Sequence, residues 1–327
     1  MNLDPAVAAT RVAVRRTLSD LEPGATVLVA CSGGADSLAL LAATVFEARH
    51  DAWHVVGVTV DHGLQDGSAE RAVHVVEQMT ALGADETVTA AVDVHAEGQG
   101  IEAAARQARY AVLEEYAERA GAAVVLLGHT LDDQAETVLL GLARGSGGRS
   151  IAGMRRAFDR YRRPFLDLNR RDTATACLAQ GIEVWRDPHN DDPRFARARV
   201  RHTVLPMLET ELGPGVAATL ARTADLLRED MELLDELAES ALATTVTDRG
   251  VDVATLATLA PALRRRVLRL AALAAGSPGS DLFHVHVVEL DRLVTDWHGQ
   301  GPVQLPGPVG VRRVAGALIF DQTAVGG

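Results

Sequence analysis

The chain has 327 residues and contains no lysine, so all 32 Lys or Arg positions are arginines. Its two cysteines, Cys31 and Cys177, show no Cys-x-x-Cys or His–Cys spacing, which argues against a disulfide framework and a zinc site. Aromatic residues are only 4% of the chain, so cores built from its 47% hydrophobic content must consist mostly of Ala, Val and Leu. No apolar run reaches the length of a membrane span, and Met1–Pro5 does not resemble the start of a signal peptide. We expect a cytoplasmic protein without membrane attachment, long enough for two domains.

The charge is distributed unevenly along the chain. The net charge is −12, but residues 149–201 hold thirteen arginines against seven acidic residues, a local balance of +6 that leaves −18 for the rest. A basic block in an acidic protein is typical of a surface that contacts nucleic-acid phosphates. The alternative is that these arginines form a solvated helix face, in a chain that uses arginine in place of lysine. The charge alone does not decide between a phosphate-contacting surface and a solvated face.

An apolar, β-branched run at 27–31 is followed at once by a short glycine turn and then by an apolar helical pattern. A strand, a glycine turn and a helix start form an anion site, because free N–H groups and the positive end of the helix dipole face the ligand. The phosphate loop of nucleotide hydrolases would require a Gly-Lys-Ser/Thr end, and a dinucleotide fingerprint would require Gly-x-Gly-x-x-Gly; this stretch has neither. We interpret the turn as an ATP-binding loop rather than an ordinary strand-to-helix connection; its residues are Ser32, Gly33, Gly34, Ala35, Asp36 and Ser37.

Strand-like and helical patterns alternate through the first part of the chain. The predicted strands are Thr26–Cys31, His54–Asp61, Thr87–Val92 and Ala123–His129, and the predicted helices are Ser37–Ala48, Ser68–Leu82 and Glu102–Ala120. This alternation predicts an α/β fold with a doubly wound parallel sheet that binds ligands at the carboxyl ends of its strands. Three segments should converge there, at 32–37, 61–64 and 128–134.

The alternation of strand-like and helical segments becomes less regular after residue 148. We predict an extended Arg163–Asp167, a helix at Arg170–Gln180 and a fifth strand at Ile182–Arg186. Beyond Gly213–Gly215 the expected elements are helices at Val216–Thr244, Thr255–Ala275 and Leu282–Trp297, a strand at Gly250–Val253 and a hairpin at Val309–Phe320. The chain is therefore expected to hold a catalytic domain at 1–213 and a smaller, mainly helical domain at 214–327.

Asp36 is the candidate metal ligand of the loop. A carboxylate beside pyrophosphate oxygens is useful mainly through Mg²⁺, which binds a few carboxylates together with phosphate oxygens. Capping of the following helix is the simpler role for Asp36, and the two roles are compatible. The hydroxyls of Ser32 and Ser37 can donate to phosphate or cap the helix.

A second candidate segment begins at His129, where a strand ends. Asp132 and Asp133 open the next helix, and Glu136 lies on the same helix face as Asp132. Two carboxylates there could hold an ammonium group or a metal ion. The alternative is a solvated helix start, at which acidic residues interact favourably with the helix dipole.

Two arginine groups are candidates for contact with phosphate. Arg106 and Arg109 lie three residues apart on a predicted helix, while Glu102, four residues before Arg106, is best explained by an ion pair. Residues 197–201 alternate as Arg197, Arg199 and Arg201, which could track a phosphate backbone.

The six-residue loop resembles that of the PP-loop ATP pyrophosphatases, and further segments resemble the tRNA(Ile)-lysidine synthetases. This second resemblance extends to about Pro206. It includes 61–64, 102–110, 128–137, Arg144-Gly145, Arg163-Pro164, Asp187, Asn190 and 197–201.

The resemblance implies an AMP-forming ligase. It would use ATP and Mg²⁺ to adenylate the wobble cytidine of the isoleucine tRNA CAU anticodon, and free L-lysine would then displace AMP. The implied catalytic residues are Asp36, Arg109, His129, Asp132 and Asp133. Substrate contacts are implied for Arg106, Glu136, Arg144, Arg197, Arg199 and Arg201. The second domain is expected to contact tRNA, and the sequence leaves the oligomeric state open between a monomer and a homodimer.

Three other functions are weighed against the ligase. A tRNA thiolase would use paired cysteines, which Cys31 and Cys177 do not form, and a glutamine-fed synthetase would need an N-terminal catalytic cysteine. A nucleotide-binding regulator would have no use for Asp36, His129 and the carboxylates together.

Overall fold

The computed structural model describes residues 3–61, 67–92, 101–145, 147–185 and 191–322, without the side chains of 101–103. The chain forms two compact units. The first is Met1–Leu140 with Gly153–Arg222, and the second is Gly141–Ala152 with Thr223–Gly327. The division thus lies at Arg222, beyond the boundary expected at 213, and the short segment Gly141–Ala152 belongs to the second unit. Within the described ranges, no helix is both long and apolar enough to cross a membrane.

The first unit is built on a six-stranded sheet of order β3-β2-β1-β4-β6-β5. Its strands are β1 Thr26–Ala30, β2 His54–Asp61, β3 Glu86–Ala91, β4 Val124–Leu126, β5 Ala157–Phe158 and β6 Tyr161–Arg162. All neighbours are parallel except β5 and β6, which form a small hairpin. Val27 of β1 pairs with Val55 on one side and with Val124 on the other. The central strands are nearly all apolar because both faces of a parallel sheet are covered.

Helices cover both faces of this sheet, which confirms the doubly wound prediction. The helices of this unit are α1 Pro5–Thr17, α2 Ala35–Asp51, α3 Ser68–Ala81, α4 Ile101–Arg119, most of α5 Leu131–Arg144, α7 Arg170–Ala179, α8 Ala196–Arg199 and α9 Leu205–Glu211; α6, Gly148–Ile151, lies in the second unit. Successive residues of β1 point to opposite faces. Val27 and Val29 enter the core shared with α1, α2 and α7, and Leu28 enters the core beside α4.

Three parts of the first unit differ from the sequence prediction. Residues 182–185 form no strand, because the Trp185 N–H donates to the Gly33 carbonyl, 3.2 Å away, outside any ladder. Residues 164–167 form a turn, closed by the Leu168 N–H on the Phe165 carbonyl, because Pro164 suits a turn better than a ladder. Helix α1 was not predicted, although Asp4 caps it and Pro5 is its first residue.

The second unit contains helices and a five-stranded antiparallel sheet of order β7-β8-β11-β10-β9. Its strands are β7 Val246–Thr247, β8 Gly250–Asp252, β9 Val303–Leu305, β10 Val309–Val314 and β11 Ala317–Gln322. Its helices are α11 Val253–Thr258, α12 Pro261–Ala274 and α13 His284–Thr295, together with most of α10, Val216–Thr245. The predicted hairpin is confirmed as β10–β11. The single helix predicted at Thr255–Ala275 is divided in two, because Pro261 disfavours helical backbone at Ala260 and starts α12.

Candidate active site

The candidate site lies where the strand order reverses. From β1 the chain adds β2 and β3 on one side and then returns to place β4 on the other side of β1. Ligands of such folds bind outside the carboxyl ends of the strands at this point. A Cβ on Gly128 would come within 3.1 Å of the Asp36 backbone, so the segments that follow β1 and β4 are in close contact. Their predicted convergence is confirmed, whereas residues 62–64 lie outside the described residues.

The loop after β1 is held in place by its own hydroxyl groups. The Ser37 hydroxyl accepts from the Ser32 N–H at 3.1 Å and donates to the Gly34 carbonyl at 3.0 Å. Among the residues that the structure describes, no side chain caps the N-terminus of α2. The first N–H groups of a helix have no partner within the helix, so these remain available to an anion.

The two loop glycines have different roles. Gly33 has a φ of +80°, and a Cβ there would lie 2.7 Å from Cγ2 of Val75. At Gly34 φ is −81°, and a Cβ would meet only Ser32 Oγ, at 3.7 Å. Gly33 is therefore required by the fold, whereas Gly34 is free to serve a ligand.

Asp36 faces the site from the first turn of α2. It accepts a short hydrogen bond from the Thr173 hydroxyl, and its second oxygen lies 3.9 Å from Nε of Arg170. Burial raises its pKa from 3.8 to about 6, helped by the negative charge of Asp133 and opposed by the Thr173 hydrogen bond. Charged Asp36 is thus poorly compensated, which suits a carboxylate that binds a cation.

His129 follows β4. Its Nδ1 accepts a hydrogen bond from Nε of Arg163 at 3.1 Å. Burial lowers its pKa to about 3; the positive charges of Arg163, Arg197 and Arg106 act in the same direction, and Asp133 opposes them. His129 is consequently neutral near pH 7.

Beside it lies the arginine–carboxylate cluster, which consists of Asp133, Glu136, Arg170, Arg197 and Arg201. Glu136 accepts from Nε of Arg201 at 2.7 Å and from Nε of Arg197 at 2.8 Å. Nη2 of Arg170 donates to Asp133 at 3.0 Å and to Glu136 at 3.3 Å. Both carboxylates are buried, Glu136 completely. With Asp36, three carboxylates face three guanidinium groups.

The comparisons with known proteins cover both units. Residues 9–208 match the PP-loop domain family, and residues 252–319 match the TilS substrate binding domain family. The tRNA(Ile)-lysidine synthase of Streptomyces coelicolor is 52% identical over 98% of this chain and 100% of its own length. That of Thermobifida fusca is 55% identical over 97% of this chain and 98% of its own length.

The chain belongs to the tRNA(Ile)-lysidine synthase family.

A solved structure shares the fold over about two thirds of the chain. The U34-tRNA thiolase NcsA from Methanococcus maripaludis, solved with its 4Fe–4S cluster, shares the fold at a TM-score of 0.57. It is 18% identical and covers 68% of this chain and 79% of its own, so the likeness concerns the fold alone. Iron–sulfur clusters are held by several thiolates, and this lysidine synthase family member has two cysteines, both buried and free.

The structure separates the acidic residues that the sequence grouped together. Asp133 accepts from the N–H and the hydroxyl of Thr130, at 2.8 and 3.0 Å, and so closes the start of α5 as a helix cap. Asp132 accepts from the backbone N–H of Arg170 at 2.7 Å and holds the start of α7. Asp133 and Glu136, not Asp132 and Glu136, share partners.

The candidate arginines differ in their exposure and in their partners. In the 197–201 run only Arg199 is exposed, donating to backbone carbonyls of Pro193 and Arg194, because Arg197 and Arg201 turn into the cluster. A π-helical turn at Val200–Val204 follows α8. Arg106 and Arg109 are exposed on α4, whereas Arg144 ends α5 within the second unit. The side chain of Glu102, with Asp187 and Asn190, lies outside the described residues.

Three site residues have no role in the sequence prediction: Arg163, Arg170 and Thr173. Arg163 directly follows β6, and Arg170 and Thr173 lie in the first turn of α7. The sequence shows no strand end before any of the three. Asn169 and Asp172 form a capping box, a pattern that marks the start of α7 and so places Arg170 and Thr173 in its first turn. The sequence around this turn does not show which strand end the turn faces in the folded protein.

Proposed function

We propose that this chain uses ATP to join free lysine to the wobble cytidine of an isoleucine tRNA with a CAU anticodon, releasing AMP and pyrophosphate. The observation that carries the proposal is the uncapped loop at Ser32–Ser37 beside His129 and the arginine–carboxylate cluster. Family membership over nearly the whole chain supports it.

In this proposal ATP phosphates bind the free N–H groups that open α2. Asp36 would hold Mg²⁺, and the fit is good because Mg²⁺ takes one or two carboxylates together with substrate phosphates. Among the described residues no group of three or more His, Cys, Asp or Glu could hold a metal by itself, so the nucleotide would have to complete the coordination. When bound, Mg²⁺ would neutralise phosphate charge.

The arginine–carboxylate cluster is the proposed lysine site. The α-amino acid end of lysine carries one ammonium and one carboxylate, and the cluster offers groups of both signs. Asp133 and Glu136 would hold the ammonium, while Arg197 and Arg201 would hold the carboxylate. This arrangement leaves the ε-amine free to attack.

For tRNA, the proposed phosphate contacts are those candidate arginines that are exposed: Arg106, Arg109, Arg144 and Arg199. Residues 214–327 are proposed to contact the tRNA as well, consistent with the match to the substrate binding domain family. The cytoplasmic location and the homodimer stay predictions.

An exchange assay tests the first half of the reaction. With tRNA present and lysine absent, the protein should exchange labelled pyrophosphate into ATP, because adenylation of the base precedes attack by lysine. Omitting tRNA should abolish the exchange. Equal exchange without tRNA, or exchange only with lysine, would contradict the proposed order.

A further inference from the structure

Arg163 is an unusual arginine. Arg163 is 5% exposed, and it makes no ion pair with any carboxylate that the structure describes. Its donors are used on neutral groups instead: Nε on Nδ1 of His129 at 3.1 Å, Nη2 on the Tyr110 hydroxyl at 3.2 Å and Nη1 on the Arg155 carbonyl. Its guanidinium also lies 4.7 Å from the centre of the Phe158 ring. Burying a positive charge without a carboxylate partner costs free energy of folding, so we expect Arg163 to have a role beyond packing.

The contact with His129 has a direction. A guanidinium only donates hydrogen bonds and does not lose its proton in proteins, so Nδ1 of His129 must be the acceptor. An imidazole whose Nδ1 accepts and which is neutral carries its proton on Nε2. No described residue contacts Nε2 of His129 through a hydrogen bond. The ring therefore presents one N–H donor that no described group uses.

The charged groups around the ring favour the same form. Facing His129 are Arg163 after β6, Arg106 on α4 and Arg197 on α8, against one carboxylate, Asp133 on α5. Tyr110, which Arg106 also contacts at 3.3 Å, holds the other end of the Arg163 guanidinium. Protonation of Nδ1 would break its hydrogen bond and add another positive charge to this group.

We propose that Arg163 is a positioning residue that fixes His129 as a neutral Nε2–H donor, and that His129 acts by donating a hydrogen bond to a substrate oxygen that gains negative charge. In this role His129 does not take a proton from the lysine amine. The catalytic part rests on the proposed function, whereas the tautomer of His129 does not.

The tautomer can be measured in the ligand-free protein with ¹⁵N-labelled histidine. Long-range ¹H–¹⁵N correlation should show an unprotonated Nδ1 and a protonated Nε2 for His129, unchanged between pH 8 and pH 5, with His129→Gln used for assignment. In Arg163→Met, Nδ1 loses the donor that fixes it, so the spectra should show a mixture of the two neutral tautomers. Arg160→Met, in the same hairpin and paired with Glu114, should leave the His129 signals unchanged. A protonated Nδ1 in the wild type, or titration near pH 6.5, would overturn the proposal.

Activity separates a donor from a base. The amide of Gln keeps an N–H donor but cannot act as a base, so His129→Gln should be at least about tenfold more active than His129→Ala, within the roughly 10²–10³-fold that one such donor supplies. Equal loss in the two variants would contradict the donor role of His129. If the wild type itself forms no lysidine, the proposed function fails, while the tautomer is still decided by the spectra.

Discussion

At the scale of single residues, Asp36 combines a function with a cost in stability. Its half-buried carboxyl lies near the negative charge of Asp133, and its pKa is raised from 3.8 to about 6. A pKa that is higher in the folded protein favours folding fully below pH 3.8, and this contribution is lost as the pH rises through about 6. At pH 8, charged Asp36 therefore destabilises the ligand-free protein.

Replacing Asp36 by Asn should stabilise the ligand-free protein at pH 8 and have little effect at pH 4. The pKa difference corresponds to roughly 3 kcal/mol, and because the side chain is 26% exposed we expect about 1–3 kcal/mol. Urea unfolding at the two pH values measures the change, and adenylation should be lost. Asp167→Asn, which removes a surface ion pair with Arg156, is the control and should change stability by about 1 kcal/mol or less. A destabilised Asp36→Asn at pH 8 would show that the charge is compensated.

At the scale of elements, the sequence predicts those parts whose signals are local. The strands and helices around the sheet follow from alternating patterns, and the ATP loop follows from the strand–glycine–helix order. The β5–β6 hairpin escaped prediction because two-residue strands have no periodicity. Residues 182–185 are apolar enough for a strand, but the tertiary contact between Trp185 and Gly33 decides their structure. The roles of Arg163 and Arg170 depend on such contacts as well.

Helix α5 separates the candidate lysine ligands, because Glu136 faces the cluster and Asp132 faces the start of α7. Glu136→Gln should therefore raise the KM for lysine far more than the KM for ATP, and Asp132→Asn should change the lysine KM less. Steady-state kinetics with each substrate varied measures both. Removing one partner of a buried ion pair costs about 3–5 kcal/mol, so both variants must first be shown to be folded by circular dichroism. A larger increase of the lysine KM in Asp132→Asn than in Glu136→Gln would place the lysine site at Asp132 instead of Glu136.

At the scale of the whole molecule, an acidic protein must bind an acidic polymer. The basic block at 149–201 accounts for tRNA binding only in part, because Arg197 and Arg201 already form ion pairs with Glu136 and Asp133. The sequence showed the excess of arginine but not which arginines are already paired, since their partners lie about sixty positions away on α5. The arginines available to contact tRNA phosphates are therefore the exposed ones.

Arg199→Ala should weaken tRNA binding and lower the slope of log affinity against log salt by about 0.7–0.9, the effect of one lost phosphate contact. Filter binding across a salt series measures the slope, and ATP binding should not change. Arg194→Ala is the matched control, because the Arg194 guanidinium is already paired with Asp192 at 2.6 Å. If both variants keep the wild-type slope, Arg199 belongs to a solvated face.

The most direct test of the account is transfer of labelled lysine to tRNA. The protein is incubated with ATP, Mg²⁺, labelled lysine and isoleucine tRNA bearing a CAU anticodon, and the wobble nucleoside is then analysed by mass spectrometry. We predict one lysine joined to that cytidine, with one AMP formed per lysine, and no product from Asp36→Asn. An unmodified cytidine in the wild-type reaction, or sulfur in place of lysine, would contradict it.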